Sequence, residues 1–290
     1  LTGVLAVSKY PVHEVMRSAQ SLMPTISMVH AYDVLEALAG KQPCRNGWVF
    51  RSQRQEVEAR VSSLIDALDD HESVAHLLSV VAWHWARLEV MFTDYPRILR
   101  PTVGGDIWQG LKGQAAEGNR IVDIGAGVGQ FWHDTVQHFK DSRLKLGSFI
   151  AIEPDAANVR QLKGRIDSLS ARVDVHQCAI GNEDQPTSFW SGLVLTSQYG
   201  EGGNEEIKPE HVSGIIREPT HINIHAESSD LQILKQVCAF YDSSLPTLMV
   251  TCYHAEDHLF EIPSLILRTG KRLLLRQYAS AGTGLVAYAV

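Results

Sequence analysis

Arg120 to Gln130 reads R-I-V-D-I-G-A-G-V-G-Q, and this stretch most constrains what the chain can fold into. Ile121, Val122 and Ile124 are β-branched and apolar, as a strand buried on both faces requires. Gly125, Gly127 and Gly129 follow at once, and a helical pattern beginning near Phe131 and Trp132 comes next. Strand, glycine turn and helix together make a nucleotide-type cofactor site. Glycine lets the backbone turn tightly and approach a ligand, and the helix start offers free N–H groups. A turn that merely needs positive φ would look the same, so a second element has to decide.

That element is Ser148 to Ile152, an apolar strand ending in Glu153-Pro154-Asp155. An acid at the tip of the second strand, about 20–30 residues past the glycines, is placed to accept hydrogen bonds from ribose hydroxyls. The two features favour an adenosine-containing cofactor. Dinucleotide folds usually read G-x-G-x-x-G, whereas this chain has G-A-G-V-G with an acid inside the strand at Asp123. Such a carboxylate suits S-adenosylmethionine, whose methionyl part is cationic and carries no phosphate. The expected cofactor residues are Asp123, Gly125, Ala126, Gly127, Gly129, Gln130, Glu153 and Pro154.

Downstream of Arg120, strands and helices alternate, so a mostly parallel sheet is expected. Strands are expected at 120–124, 147–152, 172–178, 221–226, 246–252, 271–278 and 284–290. Helices are expected at 129–139, 155–169, 228–240 and 258–269, with an irregular polar stretch at 181–220. The last two strands, joined by a glycine-containing turn at 279–284, read as a closing hairpin, the usual end of a class I methyltransferase sheet. Before it lies a helical segment with Val57, Val61, Leu64, Ile65 and Leu68 on one face, then Val74, Leu77, Leu78 and Val81. Asp69-Asp70-His71-Glu72 between them reads as a solvated junction. The first forty residues pattern as β-α-β-α, too few for a doubly wound domain. The expected organisation is a remnant of a preceding α/β domain at 1–40, a helical preface at 41–114 and a Rossmann-like domain at 115–290. The missing initiator Met fits a chain that begins inside a longer protein.

The 290 residues carry a net charge of −7 and 44% apolar side chains. No basic run gives a nucleic-acid footprint, and no apolar run reaches membrane-spanning length. Neither a nucleic-acid nor a membrane partner is expected. Cys44, Cys178, Cys238 and Cys252 are scattered, as in a cytoplasmic protein with reduced thiols. The choice between monomer and homo-oligomer stays open.

Several runs resemble the FkbM family of class I, S-adenosylmethionine-dependent methyltransferases. They are I-V-D-I-G-A-G-V-G-Q-F, I-A-I-E-P-D-A-A-N-V-R-Q-L, C-A-I-G-N-E-D-Q, H-I-N-I-H-A-E-S-S-D-L-Q-I-L-K, T-C-Y-H-A-E-D-H-L-F-E-I-P and L-L-L-R-Q-Y, spread over about 115–290. The resemblance implies O-methylation of a sugar or natural-product hydroxyl, with a small-molecule or carbohydrate acceptor. Where the family's fourth strand commonly ends Lys-Ile-Asp-Val-Glu-Gly-x-Glu, this chain has Asn223, Ile224, His225, Ala226, Glu227, Ser228, Ser229 and Asp230. The alternatives are an NAD(P)-dependent oxidoreductase and a catalytically silent cofactor-fold module.

Ligands of open α/β sheets bind outside the carboxyl ends of the strands. His225, Glu227 and His254 at those ends are the candidates for taking the acceptor's proton, with the His225–Glu227 pair preferred. Tyr253, Glu256 and Asp257 share the fifth-strand end. His221 and His225 lie about 13 Å apart on an extended strand and cannot share an ion. His254, Asp257 and His258 would converge only on a helical turn, and no metal is assigned. The stretch from Ser188 to His211 is expected to cover the pocket, with Trp190 or Tyr199 near the adenine or the acceptor.

Overall fold

Short runs rich in apolar residues lie side by side in one seven-stranded sheet. The computed structural model describes residues 48–86, 118–142, 144–166, 172–181, 186–192, 197–199, 202–227, 229–279 and 282–290. The expected remnant at 1–40 and Cys44 fall outside these residues. In chain order the elements are α1 (Arg54–Ala67), α2 (His71–Ala86), β1 (Asn119–Ile124), α3 (Gln130–Ser142), β2 (Leu146–Ile152), α4 (Ala156–Ile166) and β3 (Arg172–His176). They continue with β4 (Thr187–Trp190), β5 (Gln198–Tyr199), β6 (Glu205–Ile207), α5 (Val212–Ile215), β7 (His221–Ile224), α6 (Asp230–Tyr241), β8 (Thr247–Thr251), α7 (Glu256–Arg268), β9 (Leu273–Gln277) and β10 (Leu285–Ala289).

The large sheet runs β3-β2-β1-β7-β8-β10-β9. Its neighbours are parallel from β3 to β8, and β10 runs antiparallel to both β8 and β9. The order reverses beside β1, so the carboxyl tips of β1 and β7 flank a crevice where ligands of such sheets bind. The expected Rossmann-like class I methyltransferase sheet, with its closing hairpin, is therefore present. Every residue of β7 is buried, as expected of an inner parallel strand covered on both faces, and its polar His221 and Asn223 are buried along with Ile222 and Ile224.

Two expectations need correction. The stretch 181–220 is not irregular throughout: β4, β5 and β6 form a separate three-stranded antiparallel sheet in the order β5-β4-β6. Its strands span only two to four residues, too short for a period of two to show in sequence. The acidic junction between α1 and α2 is also more than a solvated turn. Asp70 lies 3.0 Å and Glu72 3.3 Å from the guanidinium of Arg276 in β9, and Ser73 accepts from the same group at 2.8 Å. Arg276 is 5% exposed, so this clamp compensates a buried charge and docks the helical preface on the sheet.

The docking is apolar as well. Val57, Val61, Leu64, Leu77 and Val80 share one core with Ile222, Ile224, Val250 and Leu275. The Trp48 indole N–H donates to the carbonyl of Tyr253 at 2.8 Å, and the Glu256 carboxylate accepts from the Arg51 N–H at 2.8 Å. The preface thus packs behind the tip of β8. Among the described residues, no helix is long and apolar enough to cross a membrane.

Candidate active site

The glycine turn is built by close approach. Gly125 has a φ of +82°, and a Cβ there would stand 1.9 Å from the His225 carbonyl oxygen. Only glycine lets the β1 tip pass this close to the β7 tip. The Gly125 and Ala126 N–H groups donate to the Ile152 carbonyl at 2.9 and 3.1 Å. Gly129, with a φ of +86°, serves packing instead: its absent side chain makes room for Leu162, whose Cδ1 would lie 2.6 Å from a Cβ. It does not line the cavity.

That cavity, about 490 Å³, lies over the tips of β1, β2 and β7. Asp123, Gly125, Ala126, Gly127, Gln130, Glu153 and Pro154 line it, so seven of the eight expected cofactor residues come together there. Glu153 accepts from the Gly127 N–H at 2.8 Å, from the Asp155 N–H at 2.9 Å and from the Asn158 amide at 3.2 Å. Burial raises its pKa, and those hydrogen bonds oppose the rise. Asp123 is fully buried. One carboxylate oxygen accepts from the Asn223 amide at 2.7 Å, while the other has no hydrogen-bond partner among the described residues. Burial drives the Asp123 pKa up to about 7, with the nearby Glu153 charge adding to it and the Asn223 bond opposing it. Among the described residues, no Lys or Arg lines the cavity.

At the β7–β8 side the wall changes character. His225 lines the cavity with 44% of its side chain open, yet protein surrounds it closely enough to disfavour charge. Burial lowers its pKa, the neighbouring His254 lowers it further, and Glu227 and Asp230 act against both. The Tyr253 hydroxyl lies 3.3 Å from His225 Nε2. Glu227 adopts a left-handed φ of 36°, a conformation that costs a non-glycine residue about 1 kcal/mol or more and recurs at functional sites. His254 does not line the cavity and has no exposed side-chain surface. It stands behind Glu227, with Nδ1 2.9 Å from Asp230 Oδ2. Burial works against a charge on His254, but the Asp230 carboxylate and the hydrogen bond to it, together with Glu227, outweigh burial and raise its pKa to about 10. These carboxylates favour the protonated form of His254.

Asp230 was the residue sequence reasoning left without a role. It holds His254, and it accepts from the Ala226 N–H at 2.8 Å and the Thr251 hydroxyl at 2.6 Å. The expected partner of the histidines, Asp257, is exposed and joins neither group of converging ligand atoms; Asp230 converges with His254 and His258 instead. The signal was a carboxylate at the first turn of α6, where a helix start favours an acid. Tyr199 lines the cavity beside Phe189, and Trp190 is not among the lining residues.

No protein-family model and no curated protein matches the sequence. Among solved structures, the chain is similar to the methyltransferase FkbM from Methylobacillus flagellatus, with a TM-score of 0.73 and 18% identity over 99% of this chain and 73% of that one. Looser likenesses join it to an S-adenosylmethionine-dependent methyltransferase from Leishmania major (TM-score 0.34, 12% identity, 83% of this chain and 91% of that one). A methyltransferase from Pyrococcus furiosus is similar at the same level (TM-score 0.35, 12% identity, 81% and 96%). Those two carry no argument here. At 18% identity a likeness speaks for fold and not for activity, and on fold it is plain: this chain has the class I methyltransferase architecture, in the form found in the FkbM methyltransferase.

Proposed function

We propose that this chain is an S-adenosylmethionine-dependent methyltransferase acting on a hydroxyl of a sugar or natural-product acceptor. One observation carries the choice of cofactor: the buried Asp123 carboxylate, one oxygen of which has no hydrogen-bond partner among the described residues, at a cavity that no Lys or Arg lines among those residues. A pyrophosphate would meet two carboxylates there and no cation, which disfavours NAD(P). A cationic methionyl group gains from the same charges. Asp123 would face that cation, Gly125 and Gly127 would admit the ligand to the backbone, and Glu153 would accept from the ribose hydroxyls. Bound in this way, the cofactor supplies a methyl group on a sulfonium, an electrophile that needs an aligned nucleophile and no further activation.

The residues at the β7–β8 side then have one task, which is to hold and activate the acceptor hydroxyl. His225 is uncharged at neutral pH, so its ring has a lone pair to offer. The substitutions of Asn223 and His225 for the family's Lys and Asp favour no silent module by themselves, because Asn223 is engaged with Asp123 at 2.7 Å. Transfer of labelled methyl groups to a panel of sugars and phenolic natural products tests the activity. Product on any member is expected; no product on any, in protein that binds the cofactor, would favour the silent module.

A further inference from the structure

Three side chains at the acceptor corner turn their donor atoms toward one point. His225 Nε2 lies 3.7 Å from Glu227 Oε1, and His254 Nε2 lies 3.6 Å from the same oxygen. All three ligand atoms fall within 4.8 Å of one another. These separations are too long for hydrogen bonds, which run to about 3.2 Å. They come close to the ~3.4 Å between neighbouring ligands of a small divalent ion whose bonds are ~2.0–2.2 Å long.

A second observation is independent of that spacing. His254 has no side-chain surface exposed, and its Nε2 has no hydrogen-bond partner among the described residues. Its other ring nitrogen is held by Asp230 at 2.9 Å, and Asp230 is itself fixed by Ala226 and Thr251. A carboxylate on one imidazole nitrogen orients the ring, the support that metal-bound histidines usually have, and an ion at Nε2 would displace the proton that the two carboxylates otherwise hold there.

We propose that His225, Glu227 and His254 bind one divalent transition-metal ion at the cavity wall, with Asp230 as the positioning residue for His254. Two imidazoles and one carboxylate suit Zn²⁺, Mn²⁺, Fe²⁺ or Co²⁺, whereas Mg²⁺ and Ca²⁺ prefer oxygen ligands. Three protein ligands leave coordination positions free, and the open side of His225 puts them toward the cavity. The inference rests on the proposed function only for the use of the ion. An acceptor hydroxyl bound there would pass its proton to water more readily, since the cation stabilises the oxyanion, and its oxygen would keep the electron pair that attacks the methyl carbon. The alternative occupant of the corner is a proton on His254 shared between Glu227 and Asp230.

Titration of the chelator-stripped protein with Zn²⁺ and Co²⁺ decides between them. The expected result is one ion per chain with a Kd of about 1 µM or tighter, and a visible ligand-field band with Co²⁺. His225→Ala, on the open side of the corner, should weaken binding at least ~100-fold, and Asp230→Asn by ~10–100-fold with the stoichiometry kept. His258→Ala should leave affinity unchanged. Absence of a stoichiometric ion overturns the proposal, as does an ion held equally well by His225→Ala. Loss in His258→Ala but not in His225→Ala would put the ion in the interior beside Asp230, and overturns it too. Titration of the stripped protein with S-adenosylmethionine keeps the two readings apart: cofactor without metal removes only this inference, and metal without cofactor removes only the proposed function.

Discussion

The two sides of the cavity are built by different means. Around β1 and β2 the ligand would meet backbone: Gly125 and Gly127, both at positive φ, and an acid at a strand tip that accepts from the Gly127 and Asp155 N–H groups. Around β7 and β8 it would meet side chains, and their arrangement depends on residues brought together from separate elements. Asp230 at the start of α6 holds His254 beyond the end of β8, and Trp48 of the preface holds the Tyr253 carbonyl between them. A backbone cradle fits any ligand with the right skeleton, whereas a side-chain corner can be changed without rebuilding the fold. In the FkbM resemblance this is where the chain departs, at Asn223 and His225, while the glycine turn stays intact.

Substitutions can break this contrast, and their effects on cofactor affinity should fall off from the first side to the second. Gly125→Ala is expected to act most strongly, because its Cβ would sit 1.9 Å from a carbonyl oxygen at a φ of +82°. Thermal unfolding should register a loss of about 3 kcal/mol or more, and cofactor binding should vanish. Glu153→Ala comes next. It removes a charged acceptor contributing roughly 1.5–3 kcal/mol, so calorimetry should find cofactor affinity about ten- to a hundredfold lower.

Asp123 sharpens the comparison through pH. Its folded pKa of about 7 lies above the ordinary 3.8, so the folded protein binds more protons than the unfolded one between those values. The stability that protonated Asp123 allows is complete at low pH and is lost as pH rises through about 7. Cofactor affinity should run the other way, because the cation needs the carboxylate, and should drop by up to about tenfold per pH unit below 7. Asp123→Asn should therefore raise the melting temperature near pH 8, weaken cofactor binding and flatten both pH profiles. Unchanged profiles in the variant would remove Asp123 from the account. The smallest effect on affinity belongs to the second side: His225→Ala should leave cofactor binding within about two- to threefold while turnover falls about a hundredfold. An equal fall in both would mean that the two sides are not separate.

The same contrast explains what the sequence made legible. Gly125, Gly127 and Glu153 serve local needs of the backbone, and local needs leave local patterns, so strand, turn and acid could be read within about thirty residues. Gly129 belonged to the pattern for a different reason, which only the packing of Leu162 against it reveals. The Asp123–Asn223 pair joins positions 100 residues apart, and the clamp between Asp70 and Arg276 spans 206. Nothing in either neighbourhood announces its partner. Asp257 looked like a companion of His254 and His258 because it is close in sequence, while Asp230 is close in space. The small sheet at 187–207 escaped notice because strands of two to four residues carry no period.

Isothermal calorimetry of the purified protein with S-adenosylmethionine and, separately, with NAD tests the central claim, that the glycine turn, Asp123 and Glu153 form a site for a cationic adenosine cofactor. The account predicts saturable one-to-one binding of S-adenosylmethionine that weakens below pH 7, and no heat with NAD beyond dilution. Binding of NAD with no binding of S-adenosylmethionine would contradict it.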